Sequence, residues 1–157
     1  MRVVLDTSAI IYLNDFRKFE EMITCDDVVK EVKDKMTSLK LSGLNLKVNE
    51  PKIETVERIK EIAKETGDLE KLSKTDLKVL ALAKESNCTI ISDDRGIQNV
   101  AEKLKIKYIS IFSKKITRLI RWRKFCRNCG KFFERGMACS ICGGRLARVP
   151  ISSMEIK

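Results

Sequence analysis

The segment "RVVLDTSAII" (residues 2–11) is the stretch on which the fold turns. Val3, Val4 and Leu5 follow one another without a polar interruption, the pattern of a short strand covered on both faces. A second apolar run follows almost at once, so the strand passes directly into a helix. That succession belongs to a parallel α/β sheet. Asp6 stands at the junction with Thr7 and Ser8 behind it. A carboxylate beside a core strand is costly unless it is paired, hydrogen-bonded or holding a metal, and we read it as a metal ligand.

Working outward, "CTIIS" (88–92) and "IKYISIF" (106–112) are further strand-like runs. Between the first of the three strand-like runs and the second, "DDVVKEVKDK" (26–35), "PKIETVERIKEIAKETG" (51–67) and "KTDLKVLALAKESN" (74–87) carry apolar residues at helical spacing. Pro51 opens the second and Gly67 closes it, while Ser73 with Asp76 forms an approximate capping box for the third. The stretch 36–50 reads as a loop with a strand or hairpin. Residues 1–112 are therefore one α/β domain with a central parallel sheet. Residues 113–122 read as a basic connecting helix or linker, because Ile116, Leu119 and Ile120 share a helical stripe. Residues 123–150 form a cysteine module and 151–157 a tail.

The 157 residues carry 32 Lys and Arg against 22 Asp and Glu, and all of the excess is local. Residues 1–112 hold 20 basic and 20 acidic side chains, whereas residues 113–157 hold 12 and 2. Such a block is the electrostatic footprint of a polyanion partner, most often nucleic acid, with a solubilising tail as the alternative. No apolar run approaches the roughly 18–20 residues that span a bilayer, and no signal segment opens the chain, so a cytoplasmic location without membrane contact is expected. There is no histidine. Ser-His-Asp and Cys-His nucleophile systems, HExxH zinc sites and His-based ribonuclease chemistry are thereby excluded. For hydrolysis, carboxylates and a metal remain.

Cys126, Cys129, Cys139 and Cys142 form C-x2-C-x9-C-x2-C, with Gly130 and Gly143 after the two pairs. This spacing predicts one structural Zn²⁺ in a closed four-thiolate site; a redox dithiol or a disulfide frame is the alternative. A module of about 30 residues cannot build a sufficient core, so the zinc would supply its folding energy. Lys114, Lys115, Arg118, Arg121, Arg123, Lys124 and Arg127 lie in or just before it, interleaved with Trp122, Phe125, Phe132 and Phe133. Cations for phosphates and rings for bases make an RNA-binding surface, although some of the rings must fill the small core. Cys25 and Cys88 have no partner spacing and read as core residues.

In the first domain four places put acids where the fold would gather them: Asp6, Glu31 on the first long helix, Asp76, and the Asp93-Asp94 pair after "CTIIS". Taken singly, Asp76 reads equally well as a helix N-terminal acid, Glu31 as a solvated helix residue and Asp93-Asp94 as a cap. Together they would repel one another unless a divalent cation compensates, and hard oxygen ligands suit Mg²⁺ or Mn²⁺. Ligands of parallel sheets bind beyond the carboxyl ends of the strands, where Asp6 and Asp94 emerge.

"VVLDTSAII", the inner Glu31, "SKTDLKVLALA" and "IISDDRGIQNVA" resemble, in order and spacing, the four acidic motifs of PIN-domain nucleases. With the basic connector and the "CRNCG…CSICGG" ribbon, residues 1–149 are similar to the archaeal Nin-one-binding endonucleases. That resemblance implies a three-layer PIN-like domain followed by a zinc ribbon, and an endoribonuclease that matures the 3′ end of precursor small-subunit ribosomal RNA, within a pre-ribosomal particle. It assigns Asp6, Glu31, Asp76 and Asp94 to the catalytic Mg²⁺ or Mn²⁺ ions, one or two in number, with Asp93 the other candidate at the fourth place. Thr7, Ser8, Thr75 and Ser92 lie beside those ligands, placed to bond to them or to phosphate. Metal-activated water attacking the phosphodiester leaves a 3′-hydroxyl and a 5′-phosphate. The alternatives are a toxin-type PIN ribonuclease, against which the ribbon argues, and a non-catalytic RNA-binding assembly factor, against which the complete acid set argues.

Overall fold

The computed structural model describes residues 1–32, 39 and 41–156. Five short strands, β1 (Arg2–Leu5), β2 (Glu21–Thr24), β3 (Leu46–Val48), β4 (Thr89–Ile91) and β5 (Tyr108–Ile109), form one parallel sheet in the order β3-β2-β1-β4-β5. The direction of winding reverses between β1 and β4, whose Val4 and Ile90 are register partners. Val3, Val4, Leu5, Ile90 and Ile91 are buried, as continuous apolar runs in a sheet covered on both faces require. Fully burying one such side chain is worth about 1.5–3 kcal/mol.

The helices are α1 (Thr7–Tyr12), α2 (Asp26–Glu31), α3 (Ile53–Thr66), α4 (Lys74–Ser86) and α5 (Arg95–Lys103). Their ends follow local chemistry. Asp6 caps α1 and Asp94 caps α5 through their carboxylates, and Ser73 with Asp76 closes a complete capping box on α4. Gly67 ends α3 in the left-handed conformation at φ 74°, and a Cβ there would lie 2.1 Å from the carbonyl oxygen of Trp122. Only glycine fits this close approach. The helix expected over 26–35 is described to Glu31; residues 33–38 lie outside the described residues. The strand expected within 36–50 is β3, whereas β2 has no counterpart among the strands expected from sequence.

The C-terminal region departs from expectation. Residues 118–122 are not a helix or linker but the first half of β6 (Arg118–Cys126), and residues 151–155 are not a tail but the end of β8 (Leu146–Glu155). With β7 (Phe132–Phe133) they make an antiparallel sheet, order β7-β6-β8. The ladder partner overrides the helical spacing of Ile116, Leu119 and Ile120. Arg121 faces Ser152 but Trp122 faces Pro150, so Ile151 is bulged out beside a proline that has no N–H to give the ladder. β6 packs on α3 and α5 through a buried polar joint. Asn99 takes the Ile120 N–H at 2.9 Å and gives its amide to the Ile120 carbonyl and to Asp68; Asp68 also accepts from Arg148, which lies 4.3 Å over the Trp122 ring. No helix among the described residues is long and apolar enough to cross a membrane.

Candidate active site

β1 and β4 end side by side, and the turns that leave them wall a cavity of about 310 Å³. Asp6, Glu31, Asp76, Asp93 and Asp94 line it together with Thr7, Ser8 and Thr75, and among the described residues the lining contains no basic side chain. The structure thus brings together all four carboxylates expected at the site.

Each is held by its own local structure. Asp6, 7% exposed, accepts from the Ala9 amide at 2.6 Å and from the Ser8 hydroxyl at 2.8 Å. Burial pushes its carboxyl above the usual range, and the Ser92, Ala9 and Ser8 donors offset only part of this. Asp76 is also raised, first by burial and further by the charges of Asp94 and Glu31, although it accepts from Ser73. The Glu31 carboxylate is fixed by two hydroxyls 2.6 Å away: Thr7 donates to one oxygen and Thr75 to the other. Asp94 accepts from the Gly96 and Ile97 amides at 2.7 and 2.9 Å, both on Oδ1, and its own amide donates to the Ser92 hydroxyl.

Asp93 differs. It accepts from the backbone amides of Ile111, Phe112 and Ser113 and from the Ser113 hydroxyl. Burial alone would raise its carboxyl, but these donors outweigh it and hold the pKa below the ordinary value. A carboxylate so fully engaged has little capacity left for a cation, whereas Asp94 has its second oxygen outside the cap. The resemblance puts Asp94 in the metal place and leaves Asp93 as the other candidate; the donors that engage Asp93 carry no local sequence signal, because they arrive from a loop 18 or more residues away.

Raised pKa values beside one another, with no basic side chain among the described residues of the wall, are the electrostatics of a cation site. Among the described residues the carboxylates are not gathered as tightly as the thiols: Cys126, Cys129, Cys139 and Cys142 alone bring their ligand atoms all within 4.8 Å of one another. A wider oxygen set suits an ion that keeps several of its waters. The thiols show the opposite design. Sγ atoms of Cys126 and Cys142 lie 3.4 Å apart and those of Cys129 and Cys139 3.5 Å, far from a disulfide and near the ~3.8 Å edge of a tetrahedron with 2.3 Å metal–sulfur bonds. The two knuckles repeat one backbone pattern. The Cys126 amide donates to the Lys131 carbonyl and the Cys139 amide to that of Gly144, while Gly130 and Gly143 return a bond to the carbonyls of Cys126 and Cys139. Amides of Cys129 and Asn128 aimed at Cys126 hold its thiol well below the usual range.

The basic residues expected to bind RNA are distributed unevenly. Lys114, Lys115 and Arg127 are exposed. Arg118 pairs with Glu155, Lys124 with Glu70 at 2.8 Å, and Arg121 donates to the Glu65 carbonyl. Arg123 lies 5.7 Å over the Phe132 ring. A larger cleft of about 670 Å³ lies between α3 and the ribbon, but basic and acidic side chains alternate along its wall, Arg121 and Arg135 beside Glu61 and Glu65, and it lacks the gathered carboxylates of the smaller cavity.

Residues 3–85 match the family described as the PIN domain of ribonuclease, and residues 65–121 match a PINc domain ribonuclease. The chain is 39% identical to endoribonuclease Nob1 of Archaeoglobus fulgidus, covering 89% of this chain and 86% of that protein. It is 36% identical to endoribonuclease Nob1 of Pyrococcus abyssi, over 96% and 94%. Ribonuclease VapC1 of Thermoplasma acidophilum is 36% identical over 94% of this chain and 78% of its own length. PIN domains are a divalent-metal-dependent nuclease fold, and carboxylate oxygens like those lining the acidic cavity are the kind of ligand that such chemistry uses. With similarity over most of both chains, and with the acid-lined cavity at the sheet's switch point and the cysteine cluster behind it, the chain belongs to the Nob1 family of PIN-domain endoribonucleases.

Proposed function

We propose that the protein cleaves precursor small-subunit ribosomal RNA in the cytoplasm, within a pre-ribosomal particle, and generates the mature 3′ end. The observation that carries the reading is the cavity on which Asp6, Glu31, Asp76 and Asp94 converge, with no basic side chain among its described lining residues. These four residues would hold one or two Mg²⁺ or Mn²⁺ ions. Such ions, when bound, supply Lewis acidity that generates a nucleophile from water and stabilises charge on the leaving oxygen. The chain's own residues set the geometry. Thr7 and Thr75 lock Glu31, Ser8 and Ala9 lock Asp6, and the α5 cap locks Asp94, so the oxygens are in place before substrate arrives. The cysteine quartet holds a structural Zn²⁺, and the exposed Lys114, Lys115 and Arg127 meet the phosphate backbone.

The test is cleavage of an RNA fragment spanning the precursor's 3′ junction in Mn²⁺ or Mg²⁺, with end-group analysis. A single cut leaving a 3′-hydroxyl and a 5′-phosphate, lost in Asp76→Asn, is expected; cleavage unaffected by that substitution refutes the assignment. The relative named ribonuclease VapC1 favours a second reading, a toxin-type ribonuclease. Growth arrest on expression, with cuts in RNAs unrelated to the ribosomal precursor, would support that reading instead.

A further inference from the structure

Two aromatic rings stand out beside the acidic cavity. Tyr12, at the end of α1, is 54% exposed and Phe112, beyond the end of β5, is 73% exposed, and they meet edge to face with centroids 5.7 Å apart. In the same part of the chain Phe16 and Phe19 are buried, so the core is accessible to rings from this region and these two remain outside it. Both are tied to the site. Thr7, at the other end of α1, lines the cavity and holds Glu31, and five residues of helix put Tyr12 only about 8 Å further on. Phe112 is fixed more firmly: Asp93, next to Asp94 in the cavity wall, accepts the amides of Ile111, Phe112 and Ser113. A carboxylate in the cavity wall thus fixes the backbone under an exposed ring. Lys114 and Lys115 follow directly and are exposed.

We infer that Tyr12 and Phe112 form a stacking platform for one unpaired base of the RNA, a nucleotide flanking the scissile phosphate, with Asp93 as the positioning residue. The inference rests on the nuclease reading and adds to it a demand for single-stranded character next to the cut. Exposed rings beside cations are how single strands are gripped without base-edge readout, because every base offers a π-face. The loop's amides are already satisfied by Asp93, so this platform contributes affinity and register rather than sequence preference.

The test uses the full chain and a single-stranded RNA oligonucleotide with 2-aminopurine next to the cleavage position, plus the same oligonucleotide abasic there. Without divalent metal, binding should quench the 2-aminopurine. Phe112→Ala should remove the quench and raise Kd about tenfold, the order expected for one lost base–aromatic stack, while Phe112→Trp restores both and Phe112→Leu does not. On the abasic RNA, wild type and Phe112→Ala should bind alike. Asp93→Asn should weaken the intact RNA and leave the abasic one unchanged, which a merely structural defect would not do. With Mn²⁺, the loss in Phe112→Ala should fall on KM, not on kcat. Equal quench, Kd and KM in wild type and Phe112→Ala overturn the platform even if wild type cleaves normally. A quench without any cleavage by wild type would overturn the nuclease reading alone. A change of mass in solution for Phe112→Ala, with RNA binding unaltered, would overturn the platform in favour of a contact between copies of the chain.

Discussion

Asp68→Ala should detach the ribbon sheet from the PIN domain, with a cost that follows from the joint. Asp68 is 2% exposed and accepts from the Arg148 guanidinium and the Asn99 amide, so its removal leaves both donors without this acceptor. Removing one partner of a buried ion pair costs about 3–5 kcal/mol, mostly through the charge left behind. Arg148 is about one-fifth exposed and keeps its 3.1 Å bond to the Gly67 carbonyl and its stack on Trp122, which places the expectation near the lower end, about 3 kcal/mol. Trp122 is the only tryptophan, so its fluorescence reports the joint directly. In denaturant titrations followed by this fluorescence, the Asp68→Ala transition should move to lower denaturant by that amount and separate from the far-UV CD transition of the α/β sheet. The double variant with Arg148→Ala should cost clearly less than the sum of the single ones, because the stranded charge is gone. A Trp122 transition within about 1 kcal/mol of wild type, or strict additivity, would show that the joint is not held by this pair.

The remaining expectations concern metals, pH and charge. Asp76→Asn should abolish cleavage, leave RNA binding within a few-fold, and remove the thermal stabilisation that Mn²⁺ gives wild type, read by melting with and without the ion. Because burial raises Asp6 and Asp76, the folded state holds their protons more tightly than the unfolded one, so metal-free wild type loses stability from this source as pH rises from about 3.9 through the raised folded values. Asp76→Asn should lose less over that window in parallel unfolding curves, and a variant curve parallel to wild type would contradict the shift; Asp93 has the opposite sign in both proteins and cancels. Cys126→Ser or chelation should melt residues 126–146, whose own core is only Cys126, Cys139 and Leu146 with Cys129 and Phe133 against them, while amide signals of β1–β5 persist. Neutralising Lys114 and Lys115 should flatten the salt dependence of single-strand binding by about 0.7 per lost phosphate contact, whereas Lys124→Ala, which breaks the Glu70 pair, should change the joint and leave that slope alone.

What could be read from the sequence was what local chemistry encodes. Asp6, Asp76 and Asp94 each sit at a helix N-terminus just after a strand or a serine, and the capping bonds that mark such positions involve residues two or three apart. The sheet's centre was legible because β1 and β4 are uninterrupted apolar runs. β2 was not, since "EMIT" has two apolar residues and owes its strand state to pairing with β1 and β3. Residues 113–122 invited a helix or linker reading, and only a partner strand arriving from residues 146–155 settles 118–122 as β. Asp68, Asn99 and the choice between Asp93 and Asp94 share that character: each depends on partners distant in sequence, and a polar residue whose partner is 80 positions away leaves no periodic trace.

The joint gives the lopsided charge its meaning. Residues 1–112 carry no net charge, yet they wall a cavity with five carboxylates and, among the described residues, no cation, which repels a polyanion. A free basic tail could tether RNA, but it would add no register, since a tethered chain samples many placements at similar free energy. β6 is not free: the Ile120 backbone is bonded to Asn99 on α5, and Arg148 of β8 is seated on Asp68 at the end of α3. The cationic residues therefore hold one orientation relative to Asp6 and Asp94. On the proposed function, RNA held by the cations around the ribbon would be presented to the cavity at a set distance, and repulsion at the carboxylates would fall when divalent ions fill them. Affinity would then depend on those cations and turnover on the acids, so damage to the joint at Asp68 should blur the position of the cut before it abolishes either binding or cleavage.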